Sequence, residues 1–154
     1  MPTRKEILMV VKEWVEKAED DYRAAVHLLS MADGPIPYTI ICFHAQQCVE
    51  KYLKAILVDH SLPVPKTHDI EEIIRLLPIS LPFNPTIAQM RYLTSFAVDF
   101  RYPGGDITRK ADTDEIVAIT EAFRASARTV LPAEVIGKQK MDASTKDPGT
   151  TTSD

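Results

Sequence analysis

Prolines cut this chain into pieces, and each long piece between them carries a helical period. Gly34-Pro35-Ile36-Pro37, the stretch Ser61-Leu62-Pro63-Val64-Pro65-Lys66, the spaced Pro78, Pro82 and Pro85, then Pro103 and Pro132 mark the breaks. Proline lacks an amide donor and restricts the residue before it, so helices end at such points. In the first piece Ile7, Val11, Trp14, Ala18, Tyr22, Ala25 and Leu29 recur at steps of three and four, which predicts a helix from Thr3 to about Met31. Tyr38 to about His60 is the second. A short third helix spans about His68 to Leu77, with Thr67 as its N-cap and Asp69, Glu71 and Glu72 in a first turn that favours negative charge. Thr86 to Phe100 reads as a fourth through Ile87, Met90, Leu93, Thr94 and Ala97. The last runs from Asp112 to Val130 on Ile116, Ile119, Ala122 or Phe123, and Ala127 or Val130. No strand signal or internal repeat interrupts this pattern. The expected fold class is all-α, an antiparallel up-and-down four-helix bundle with an additional short helix.

A chain of 154 residues, 45% hydrophobic and 26% charged, has the makings of one globular domain with a real core. The bundle is expected over residues 1–132. Residues 133–154 are expected to form a tail, and past Gly137 its Lys, Asp, Ser, Thr and Gly have almost nothing apolar to bury, which predicts disorder. With 18 basic and 22 acidic residues the formal net charge is −4, so no global positive field draws the molecule to nucleic acid. Such binding would need a local basic strip. No run approaches the ~18 apolar residues of a membrane span, and the N-terminus lacks a signal-peptide pattern. The expected location is cytoplasmic, with no membrane partner. Cys42 and Cys48 stand about 120° apart on one helix and cannot pair with each other. Both read as reduced and partly buried; with four scattered histidines they make no zinc spacing, and no metal or cofactor is expected.

On a helical wheel of the second segment, Ile41, Ala45, Cys48, Val49, Tyr52, Ala55 and Ile56 share one broad arc, the core face. Opposite it His44, Gln47, Lys51 and Lys54 fall within about 80°, a row rising along roughly 15 Å of helix, with Glu50 at its flank. One reading is a solvated face with an i, i+4 pair, Glu50 and Lys54. The other is a contact surface, because Ile40, Phe43 and Leu57 lie beside the row as an apolar rim.

Two further groups carry chemistry. In Thr67-His68-Asp69 the histidine beside an aspartate suits a proton shuttle, and the same residues suit a helix start. In Phe100-Arg101-Tyr102-Pro103-Gly104-Gly105, Arg101 complements a helix C-terminus or binds phosphate through its planar fork, with Tyr102 placed to stack on a base.

Three blocks, taken in order, carry a resemblance: Phe43-His-Ala-Gln-Gln-Cys-Val-Glu-Lys-Tyr-Leu-Lys-Ala-Ile-Leu57, Lys66-Thr-His-Asp-Ile70 and Phe100-Arg-Tyr-Pro103. Together with Trp14 and the run Ala18-Glu-Asp-Asp-Tyr22, they resemble the HEPN domain family over about Val11 to Val130. The resemblance implies a helical bundle that usually dimerises, a link to nucleotides or RNA, and, for small prokaryotic members, work beside a minimal nucleotidyltransferase in a toxin–antitoxin-like pair. It also implies, for many members, metal-independent ribonuclease activity from an arginine and a following histidine with four to six residues between them. That histidine is missing here: His27, His44, His60 and His68 all precede Arg101. Arg23 and His27 are one residue too close and read as an exposed helical pair. RNA hydrolysis would thereby lose its evident general acid or base, typically worth 10²- to 10⁴-fold.

The expectation is therefore a binding module rather than an enzyme: a homodimer taking nucleotide or RNA phosphate, or docking a minimal nucleotidyltransferase. Its binding residues would be His44, Gln47, Lys51, Lys54, Thr67, His68, Arg101 and Tyr102. The alternatives are a ribonuclease with a nonstandard site, drawing on Arg101 with His44 or His68, and a purely structural dimerisation scaffold.

Overall fold

The computed structural model describes residues 1–98, 103–105 and 107–137. Helix α1 (Arg4–Leu29) starts at a reciprocal cap, in which the Thr3 hydroxyl accepts from the Glu6 amide and the Glu6 carboxylate accepts from the Thr3 amide. It buries Val11, Val15, Ala18 and Ala25 against α2 (Tyr38–Asp59). Helix α2 buries 13 of its 22 residues, which makes it the central element of the fold. It closes on a left-handed turn: Ser61 takes φ 57°, its amide donates to the Val58 carbonyl, and the Leu62 amide donates back to Leu57 at 2.9 Å.

Helix α3 (Ile70–Leu76) is capped by Asp69, whose carboxylate accepts from the Glu71 and Glu72 amides. The expected cap, Thr67, sits two residues earlier. Its hydroxyl accepts from the Asp69 amide and donates to Glu72, so it shapes the entry to the helix without capping it. Helix α4 (Ile87–Ser95) ends before the expected Phe100. The Ser95 hydroxyl turns back onto the Tyr92 carbonyl, and the Phe96 and Ala97 amides bond three residues back, tightening the last turn out of the α pattern. Helix α5 (Lys110–Val130) begins two residues ahead of Asp112, which sits in its first turn and accepts from the Arg109 amide. Helix α6 (Ala133–Ile136) extends ordered structure past Pro132, because Val135 has a place to bury against α1.

Long-range contacts set the helix directions. Arg4 reaches Asp59, and Glu19 and Asp21 reach Tyr52 and His44, so α1 and α2 run antiparallel. Thr39 meets Thr108, Cys42 meets Thr113 and Tyr52 meets Arg128, so α5 runs in the same direction as α2. Three long helices thus frame the fold, and the short α3 and α4 pack on each other and on α2. Among the described residues every element is helical, as expected for the class. The core between them holds Val11, Ile41, Tyr52, Leu53, Ile56, Leu57, Ile70, Ile73, Leu93, Ile116 and Phe123, each under 2% exposed, with Phe83 edge-on to Phe123 at 5.0 Å. No described helix is long and apolar enough to cross a membrane.

Candidate functional site: the polar edge of α2

The row predicted on α2 is divided between two carboxylates, one on each side of the helix. Asp21 of α1 accepts from His44 Nδ1 at 2.8 Å and pairs with Lys51. Glu50 of α2 itself accepts from Lys54 at 2.7 Å, Gln46 at 3.1 Å and Gln47 at 3.3 Å. His68, arriving from the loop before α3, places Nδ1 3.0 Å from both Glu50 oxygens. Gln46 completes the grip by donating to the His68 carbonyl at 3.1 Å, so one buried side chain holds both the backbone and the partner of this histidine.

The wheel's solvated reading of the Glu50–Lys54 pair does not hold: Lys54 is 5% exposed and Glu50 4%. Leu57 is fully buried and belongs to the core, whereas Ile40 stays exposed on the edge. The reason is that the loop 61–69 and α3 fold back over this side of α2, which a single-helix wheel cannot register. Burial pushes the Glu50 carboxyl up, but the bonds from Lys54, His68 and Gln46 outweigh it and hold the group below the usual carboxylate range. Glu50 is therefore an anion, able only to accept, and the proton on Nδ1 of His68 is fixed by it. The His68 side chain is still 52% exposed, and its Nε2 has no hydrogen-bond partner among the described residues. An imidazole so oriented can donate to a bound oxyanion when charged, or take a proton when neutral. His44, 28% exposed, is held by Asp21 in the same way. Thr67 bonds to Glu72 and to the Asp69 amide, and its side chain makes no hydrogen bond to Glu50. Arg101 and Tyr102 lie outside the described residues. Arg23 pairs with Asp20, not with His27.

Sequence reading missed Asp21, Gln46 and a third network. Glu19 of α1 accepts from Nε and Nη2 of Arg124 at 2.9 and 3.0 Å, from Arg128 at 2.8 Å and from the Tyr52 hydroxyl. Here too burial pushes the carboxyl up and the arginines and tyrosine hold it down, leaving it below the usual range. The acidic run Glu19-Asp20-Asp21 on α1 was the available signal: the antiparallel packing brings Asp21 level with His44 and Lys51 of α2, while Glu19 meets the arginines of α5. A cleft of about 610 Å³ opens beside this network between α1, α5 and α6, and none of the predicted residues lines it. Its charges cancel, with Lys12, Arg23, Arg124 and Arg128 against Glu16, Glu19, Asp20 and Glu134, so it offers no field for an anion. Among the described residues no cluster of three metal-ligating side chains occurs.

An all-α domain whose central helix carries the Gln46-Gln47-Glu50-Lys51-Lys54 edge, with His68 docked on it, defines the class. The family model for the HEPN domain matches residues 11–130, and the chain belongs to that family. Two solved structures share its fold. TT1696 from Thermus thermophilus is 22% identical, matches over 79% of this chain and 98% of its own, and superposes with a TM-score of 0.65. ST0689, an archaeal HEPN homologue, is 22% identical over 77% of this chain and 95% of its own, with a TM-score of 0.53. Among curated proteins none matches the chain.

Proposed function

We propose that this protein is a cytoplasmic HEPN-type binding module, a homodimer that takes the phosphate of a nucleotide or RNA and works beside a minimal nucleotidyltransferase in a toxin–antitoxin-like pair. The observation that carries the reading is His68, oriented through Nδ1 by a buried, ionised Glu50 while its side chain stays half exposed. Binding rather than cleavage is favoured because no histidine follows Arg101. Titration calorimetry with ATP, GTP and a short single-stranded RNA tests it. Binding at micromolar affinity or better, weakened at least tenfold in His68→Ala, is expected; no heat from any of the three overturns the reading. Sedimentation velocity reads the dimer, and co-purification with a neighbouring nucleotidyltransferase reads the partner.

The carboxylate–imidazole geometry also favours one second reading, RNA cleavage with His68 or His44 as general base and Arg101 as a further catalytic group. Labelled RNA that is cut by the wild type and spared by both His68→Ala and Arg101→Ala supports it. RNA left intact by the wild type removes it.

A further inference from the structure

Glu71 on α3 is a buried carboxylate shared by two exposed arginines. Arg75, one turn along the same helix, donates from Nη2 to Oε1 at 2.6 Å, and Arg91 of α4 donates from Nε to Oε2 at 3.2 Å. The arginine side chains are 73% and 70% exposed, against 11% for the carboxylate between them. One carboxylate neutralises one of the two cations, so the pair keeps an excess positive charge on its solvent side. Each guanidinium has five N–H donors in a fixed fork and spends one of them on Glu71. The others have no acceptor among the described residues. Stability alone accounts poorly for this arrangement. Ion pairs made by mostly exposed arginines contribute little, and bringing two guanidinium groups onto the two oxygens of one carboxylate adds repulsion between them.

We propose that Arg75 and Arg91 form a clamp for a phosphate group, with Glu71 as the residue that positions both forks. The clamp rests on the reading that the protein binds nucleotide or RNA phosphate, and it adds a contact point away from the α2 edge. Planar forks of this kind match phosphate oxygens two at a time. Glu72, the next carboxylate along α3, accepts from Thr67 and opposes an incoming anion.

The test is fluorescence anisotropy with a labelled short single-stranded RNA, titrated at several salt concentrations and competed with ATP and with inorganic pyrophosphate. Arg75→Gln and Arg91→Gln should each weaken binding about tenfold, and the double variant should flatten the salt dependence by one to two released counterions, about 0.7 per phosphate contact. Arg75→Lys keeps the charge and should still lose affinity, because the fork is gone. Glu71→Gln separates the clamp from plain charge: it makes the protein more positive, so a charge effect tightens binding, whereas loss of the positioning carboxylate weakens it. Glu72→Gln should tighten it. Competition by pyrophosphate and ATP as effective as by unlabelled RNA assigns the clamp to free phosphates; competition by RNA alone assigns it to a strand. Wild-type binding that the double arginine variant leaves unchanged, or tighter binding by Glu71→Gln, overturns the clamp and leaves the His68 reading standing. A wild type that binds no phosphate probe overturns both. Each single arginine variant leaves Glu71 one guanidinium partner and should melt close to the wild type, whereas the double variant strands that carboxylate, so its binding is measured at a temperature where circular dichroism shows it folded.

Discussion

Glu50→Gln is the substitution from which the fold should suffer most for the smallest change in shape. Glutamine keeps the volume and one accepting oxygen but removes the charge that Lys54 answers at 2.7 Å, with the two side chains 7% and 5% exposed. The ammonium is then stranded in a buried position, and breaking a buried pair from one side costs about 3–5 kcal/mol. The surviving amide oxygen and Gln46 soften this, so about 3 kcal/mol is expected. For a chain of this size that lowers Tm by about 6–12 °C. Thermal unfolding followed by far-ultraviolet circular dichroism at pH 7 measures it. The reasoning also requires that removing both charges is milder than removing one, since a buried pair can often be replaced by apolar residues at little cost. Glu50→Gln with Lys54→Met should therefore recover at least half of the lost Tm. A single variant within about 1 °C of the wild type, or a double variant melting below the single, would refute the claim that Lys54 depends on this carboxylate.

The remaining predictions are smaller. Glu19 and Glu50 both ionise below the usual carboxylate value when folded, so the stability they contribute is complete above their unfolded pKa and fades as pH falls through the folded one. The urea midpoint should drop from pH 5 toward pH 3 in the wild type and drop less steeply in Glu19→Gln. Ser61→Gly should raise stability by about 0.5–1 kcal/mol, because glycine occupies the left-handed position without Cβ strain; equal or lower Tm speaks against that turn. Cys42 and Cys48 are buried and free; burial pushes the Cys42 thiol up to about 11 and the Cys48 thiol higher still. Native protein at pH 8 should react with a thiol reagent far more slowly than protein in denaturant, and fast native labelling would contradict their burial.

Much of the helical framework was legible because it rests on local periodicity. Val11, Trp14 and Ala18 mark a face on α1, and Ile41, Ala45, Cys48 and Tyr52 mark one on α2, whatever packs against them. Boundaries slipped where two residues competed for one role. Thr67 and Asp69 can both cap a helix, and only the tertiary position of α3, whose Ile70 amide donates to Thr94, shows that the chain turns helical after Asp69. Helix α4 lost its last turns to the Ser95 hydroxyl, a competition that apolar spacing does not record. At the candidate site His68 was visible through its neighbours in sequence, but its partner Glu50 lies 18 residues away and Gln46 drew no notice. The Glu19 network joins residues more than a hundred positions apart, and a composition with slightly more acids than bases gives no sign of which ones meet.

The central place of α2 has a consequence for how a ligand would be felt. A helix packed against α1, α3 and α5 releases its amides to exchange only when the whole molecule opens, whereas the short α4 and α6 can fray alone. His68 is gripped by the buried Glu50 and Gln46 of α2, so a ligand held on it would stabilise the folded state against unfolding. Its full binding free energy then adds to the unfolding free energy. A rise in the melting temperature of the intact protein that His68→Ala abolishes would thus assign a ligand to His68, even before the identity of that ligand is known.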